Sequence, residues 1–181
     1  MYIWCAIDID EQVRKIRRAI EEICLKRNLK NPALTLPFHI SLKISCEVKD
    51  QDFEAAVERI GSIFSGTDRF EVLPVGIERE GGIVWIRHQK NEQLCRLHDN
   101  FVELFSEEYG SKPHKFDLDF AYHTSLYVGE ESLAKEIYET MVGKAIPERI
   151  IADSFIIGCS ESGKAGEYRV IKKYNIQGET K

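Results

Sequence analysis

Two stretches of strict alternation organise this chain. From 38 to 48, Phe38, Ile40, Leu42, Ile44, Cys46 and Val48 are apolar, and His39, Ser41, Lys43, Ser45 and Glu47 fall between them. From 120 to 128, Phe120, Tyr122, Thr124, Leu126 and Val128 make one face and His123, Ser125 and Tyr127 the other. A period of two is that of a half-buried β-strand, whose successive side chains point to opposite faces. Other apolar positions recur at three and four residues. Val13, Ile16, Ile20, Ile23 and Cys24 mark a helix from a cap at Asp10 to about Leu29, and Leu94, Leu97, Phe101, Leu104 and Phe105 mark another from Asn91 to about Tyr109.

The remaining elements follow from local punctuation. Residues 2–8 read as a strand and 31–37, with two prolines, as a loop. Asp50 or Asp52 caps a helix that runs to about Phe64 and ends at Gly66. Residues 69–78 and 83–88 form a hairpin turning at Gly81-Gly82. A polar loop spans 110–119, a helix spans Glu131 to Val142, and strands at 149–158 and 167–176 are joined around Gly163 and Gly166. Mixed helices and hairpins predict an α+β fold with helices outside antiparallel sheet. Each half carries one alternating strand followed by a helix with an acidic start. The chain is expected to cross between these halves, so residues 1–181 are read as one domain.

Composition narrows the class. The 181 residues are 43% hydrophobic and 30% charged, as in a soluble globular protein. No apolar run approaches the roughly 20 residues that span a bilayer, and no basic stretch precedes an apolar core at the N-terminus. No membrane association and no signal peptide are expected. Cys5, Cys24, Cys46, Cys95 and Cys159 are odd in number, scattered and without a Cys-x-x-Cys pair, which points to a reducing cytoplasm. The net charge of −5 disfavours gripping long nucleic acid through its phosphates. One stretch is basic: Arg14, Lys15, Arg17, Arg18, Lys26, Arg27 and Lys30. It reads as a solvated helix face, with a path for an RNA strand as the alternative.

The candidate chemistry sits on the two alternating strands. His39-Ile40-Ser41-Leu42 and His123-Thr124-Ser125-Leu126 both read His-x-Ser-Leu and both follow an aromatic residue. On a strand, each His and its Ser project side by side. A His that exchanges a proton near neutral pH, beside a hydroxyl that donates to an oxyanion, makes half of a phosphoester-cleaving site. Two copies make a whole one. His88, His98 and His114 lack the motif and are read as surface or boundary residues. No ligand cluster with metal spacing and no Gly-x-x-x-x-Gly-Lys loop occurs, so neither a metal nor another cofactor is expected. Tyr127, in phase with His123, is the candidate for stacking a base, and Trp85 is read as core.

These motifs resemble those of the 2H phosphoesterase superfamily, which includes the 2′-5′ RNA ligase-like proteins and RNA 2′,3′-cyclic phosphodiesterases. Ile3-Trp4-Cys5-Ala6-Ile7-Asp8 is similar to the first strand of that family, and Lys43-Ile44 matches what often follows its first motif. After the second motif its RNA-processing branch often has a small residue and Arg, where this chain has Tyr127-Val128. The resemblance implies two similar lobes, each an antiparallel sheet flanked by helices, with the His-x-Ser motifs facing across a central cleft.

It also implies metal-independent hydrolysis of 2′,3′-cyclic phosphate ends of RNA, or of small cyclic nucleotides. Two imidazoles hold the acid and base roles; we assign His123 as base and His39 as acid. Ser41 and Ser125 donate to the non-bridging oxygens, and Lys43, in phase with them, adds a positive charge. The expected partner is an RNA end or small cyclic nucleotide, and the expected state is a monomer. A non-catalytic binder of the same ligand and an RNA end-joining enzyme are the alternatives.

Overall fold

The computed structural model describes residues 1–176. The order of elements is β1 (Tyr2–Asp8), α1 (Arg14–Lys26), β2 (His39–Ser41), β3 (Cys46–Glu47), α2 (Phe53–Ser65), β4 (Phe70–Val72), β5 (Pro74–Glu80), β6 (Ile83–His88), α3 (Glu92–Glu107), β7 (His123–Val128), α4 (Glu131–Met141), β8 (Ile150–Ala152), β9 (Ser154–Ser160) and β10 (Arg169–Asn175). The fold is α+β. One sheet runs β10-β9-β1-β2, with β3 also paired to β1; a second runs β5-β6-β7; β4 and β8 form a two-stranded ribbon. Every pairing is antiparallel. The first sheet therefore takes strands from both ends of the chain.

The helices bury the stripes their spacing predicts. Helix α1 buries Ile16, Ile20 and Cys24, and α3 buries Leu94, Leu97, Phe101, Leu104 and Phe105. Helix α2 packs on β9 and β10, and α4 packs on β5, β6 and β7. The apolar side chains of both sheets and all four helices meet in one contiguous cluster. A smaller cluster of Trp4, Ala6 and Ile156 lies separately, with Leu36, Tyr168 and Val170 packed against it.

Several expected elements are altered by partners distant in sequence. The alternating run 38–48 breaks into β2 and β3. Ala6 pairs with Ser41 and Ile3 with Cys46, so three steps along β1 face five along its partner and residues 42–45 bulge out. The hairpin begins at Pro74, because residues 70–72 pair instead with β8. Its turn lies at Gly81, whose φ of 51° favours glycine. Helix α1 starts at Arg14 without a side-chain cap. Asp10 is engaged elsewhere: its Oδ1 accepts from Phe38 N and Arg17 Nη1, each at 2.8 Å. Arg17 also donates to the carbonyls of Leu34 and Leu36. It holds the approach to the first motif and is no part of a solvated face.

Candidate active site

The two sheets present their motifs in equivalent ways. In β2, His39 and Ser41 lie opposite Asp8 and Ala6 of β1. In β7, His123 and Ser125 lie opposite Arg87 and Trp85 of β6. Strands β2 and β7 pack against each other, which brings the two motif strands together. His39 Nδ1 lies 2.7 Å from the Pro37 carbonyl, and His123 Nδ1 lies 2.8 Å from the Ala121 carbonyl. A carbonyl only accepts, so each Nδ1 carries a proton. That leaves Nε2 of each ring as the nitrogen not engaged by its own backbone.

The environments of the two rings differ. His39 is half-buried and meets the Trp4 ring edge-on, with centroids 4.5 Å apart. Burial lowers its pKa to about 4, against the upward pull of the Pro37 carbonyl; the charge of His123 lowers it further. His123 is exposed and lies edge-on to Trp85 at 6.3 Å.

His39, Ser41 and Ser125 line one cavity of about 280 Å³. Its remaining walls include Trp4, Leu36, Ile44, Val128 and Tyr168. The indole Nε1–H of Trp4 donates to Ser41 Oγ at 3.2 Å. Ser41 thus accepts from the indole and has its single hydroxyl proton left to donate. Trp4 takes this position because Gly158 lies opposite it on β9; a Cβ there would collide with the indole. Tyr168 closes the cavity, its hydroxyl donating to Ser45 Oγ at 2.6 Å. A larger hollow of about 440 Å³, lined by Ser62, Arg69, Arg96 and Asn100 among others, contains no histidine.

Two candidate residues stand differently from what alternation predicts. Lys43 is buried, with its Nζ 3.3 Å from Asp117 Oδ2 and 3.2 Å from the Ile44 carbonyl. Lys43 lines the same cavity as His39, but beyond the bulge after β2 its ammonium is matched by this carboxylate. Tyr127 is buried in the core, not beside His123. Val84 pairs with Tyr127 but Trp85 with Ser125, leaving Leu126 as an extra residue. That bulge reverses the alternation, and the Tyr127 hydroxyl accepts from Glu130 N instead. Trp85, expected in the core, is the aromatic residue beside His123. His88 and His98, expected near the surface, are both buried. His88 Nε2 bonds Thr124 Oγ1 at 2.9 Å, under the second motif, and His98 bridges the carbonyls of Leu42 and Asp117.

Sequence reasoning did not assign Trp4, Asp10 or Tyr168 to the site. Alternation in β1 places Trp4 in phase with Asp8, but its partner in the motif depends on strand pairing.

No family model and no curated protein matches the sequence. Solved structures do match. TT0787 of Thermus thermophilus is 18% identical with a TM-score of 0.61, covering 99% of this chain and 100% of that one. Escherichia coli LigT, solved with ATP, is 16% identical with a TM-score of 0.58, covering 98% of each chain. Usb1 of Kluyveromyces marxianus is 14% identical with a TM-score of 0.51, covering 97% of this chain and 98% of that one. The chain shares the α+β fold of these structures along nearly its whole length.

Proposed function

We propose that this protein is a 2H phosphoesterase that hydrolyses 2′,3′-cyclic phosphates, on RNA ends or small cyclic nucleotides, without a metal. The observation that carries this reading is the paired geometry of His39 and His123. Each ring is oriented through Nδ1 by the carbonyl two residues before it, and each has a serine beside it on the strand. The fold supports the reading, and E. coli LigT has been solved with 3′-AMP and with ATP.

The burial of His39 supports an assignment opposite to the one expected from sequence. His39, with its lowered pKa, is neutral near pH 7 and holds a free Nε2 lone pair. It takes the proton of the attacking water. His123 then takes the acid role, giving a proton from Nε2 to the ribose oxygen that leaves. Attack forms the new P–O bond as the ring P–O bond breaks, giving a phosphomonoester. Ser41 and Ser125 donate to the non-bridging oxygens, whose charge grows in the transition state.

The setting follows from the rest of the chain. Every group of this site comes from one chain, so a monomer suffices. Among the described residues no helix is long and apolar enough to cross a membrane. All five cysteines are unpaired, which supports a cytoplasmic setting. The test is turnover of a 2′,3′-cyclic nucleotide, with product identified by chromatography. Hydrolysis by the wild type, lost in His39→Ala and His123→Ala, is expected. Tight binding without turnover would assign a binding protein instead.

A further inference from the structure

We infer that Arg17 and Asp10 are positioning residues for His39. They fix the Pro37 carbonyl, and through it the proton on Nδ1 and the direction of the ring. The effect on turnover rests on the phosphodiesterase reading. The effect on the ring stands apart from it.

Every polar backbone group from the Leu36 carbonyl to the Phe38 carbonyl is engaged. The Leu36 carbonyl accepts from Arg17 Nη1 at 2.9 Å. Pro37 has no N–H to satisfy, and its ring fixes φ. Phe38 N donates to Asp10 Oδ1 at 2.8 Å, and the Phe38 carbonyl accepts from Ile9 N at 2.9 Å. The Pro37 carbonyl is left for His39 Nδ1, at 2.7 Å. That carbonyl and the Phe38 N–H belong to one planar peptide unit and point opposite ways. Asp10, by holding the N–H, aims the carbonyl at the His39 ring.

Arg17 anchors the arrangement. Four of its five N–H groups are used, on Asp10, Leu34, Leu36 and Glu21, at 2.8 to 2.9 Å. Its guanidinium also lies over the Phe38 ring, 5.2 Å from the centre. The fork is what spans these oxygens; an ammonium offers its donors from a single point. The direction of His39 is thereby tied to helix α1.

The second motif is held differently. His123 Nδ1 meets the Ala121 carbonyl at 2.8 Å, and the N–H of that peptide unit belongs to Tyr122. Among the described residues no side chain is bonded to the Tyr122 N–H. The clamp therefore serves one histidine, the one that takes the proton of water. A base needs its lone pair on Nε2, so its tautomer has to be set from the Nδ1 side. An imidazolium acting as acid holds protons on both nitrogens and needs no such choice.

The test joins nitrogen NMR of the histidine side chains to steady-state kinetics on a 2′,3′-cyclic nucleotide, with circular dichroism to check folding. The proteins are the wild type, Arg17→Met, Arg17→Lys and Asp10→Asn, and His39→Ala identifies the His39 signals. Wild-type His39 should be the Nδ1–H tautomer alone. Arg17→Met should mix in the Nε2–H tautomer at His39 and leave the His123 signals in place. Its kcat should fall roughly 10- to 10²-fold with KM held within about threefold, the mark of a misdirected base rather than of lost binding. Arg17→Lys keeps the charge and should stay close to Arg17→Met. Asp10→Asn keeps an acceptor for Phe38 N but loses the ion pair, and should fall between the wild type and Arg17→Met. It decides the matter if Arg17→Met does not fold. A wild-type tautomer at His39 in every folded variant overturns the proposal, whatever the rates. Full recovery of kcat in Arg17→Lys overturns it too, since charge alone would then suffice. If the wild type turns nothing over, the phosphodiesterase reading fails and the tautomer still decides the clamp.

Discussion

The indole N–H of Trp4 donates to Ser41 Oγ across 3.2 Å, joining β1 to the first motif. The bond decides which way the serine proton points. With its oxygen already accepting, Ser41 has its hydroxyl proton left to donate, and the same indole covers one side of His39. Trp4→Phe should preserve the packing and lose the donor. We expect kcat to fall about two- to tenfold, the usual worth of one neutral hydrogen bond. Ser41→Ala and Ser125→Ala should each cost more, roughly 10- to 10³-fold. Adding Trp4→Phe to Ser41→Ala should cost almost nothing further, and a full additive loss in this double-mutant cycle would separate the indole from the hydroxyl.

His39→Ala and His123→Ala should each lower kcat by roughly 10²–10⁴-fold, as expected for a positioned acid or base. The double variant should be little worse than either single one, because the two act as a unit. For the wild type, kcat/KM should decline as pH falls through about 4, where His39 of the free protein protonates and ceases to be a base. That acid limb should be absent from the residual activity of His39→Ala.

Acid should also weaken the fold. Burial lowers the pKa of His39 to about 4 and that of His88 to about 3, against roughly 6.5 in an unfolded chain. Between those values the unfolded chain binds more protons, so stability rises with pH. Acidification from about pH 7 toward pH 4 should cost on the order of a few kcal/mol, read as a falling urea midpoint. His88→Phe should flatten this slope, although it leaves Thr124 without its ring partner. An unchanged slope would show that His88 is not the group responsible.

Lys43→Met should act on stability. It leaves Asp117 as a buried charge without its ammonium, a defect worth about 3–5 kcal/mol. Asp117 also accepts from the Ile44 and His114 amides, so the segment after the first motif should loosen with it. Thermal unfolding measures the loss. A variant of undiminished stability with a raised KM would return Lys43 to phosphate binding.

Turnover should persist in EDTA, since proton transfer by two histidines and donation by two hydroxyls account for the reaction. Loss of activity on chelation, restored by a divalent cation, would refute this.

The motifs were legible in the sequence because they depend only on local geometry. A period of two places His39 beside Ser41 and His123 beside Ser125 whatever the strands pair with. The helices were legible for the same reason, through the 3.6-residue stripes of α1 and α3. The same local rule assigned Lys43 and Tyr127 to the motif faces; Tyr127 is buried in the core, and Lys43 lines the cavity with its charge matched by Asp117. Each lies beyond a bulge, and a bulge exists only relative to a partner strand: β1 for the first motif, β6 for the second. The carboxylate that takes up Lys43 is 74 residues away, and the serine that holds Tyr168 is 123 residues away. Sequence by itself determined the candidate side chains and their α+β setting. Tertiary structure decided which aromatic rings stand beside them, how the nearby cations are paired, and which histidine stays neutral, because burial and charge pairing are properties of neighbours brought together only by the fold.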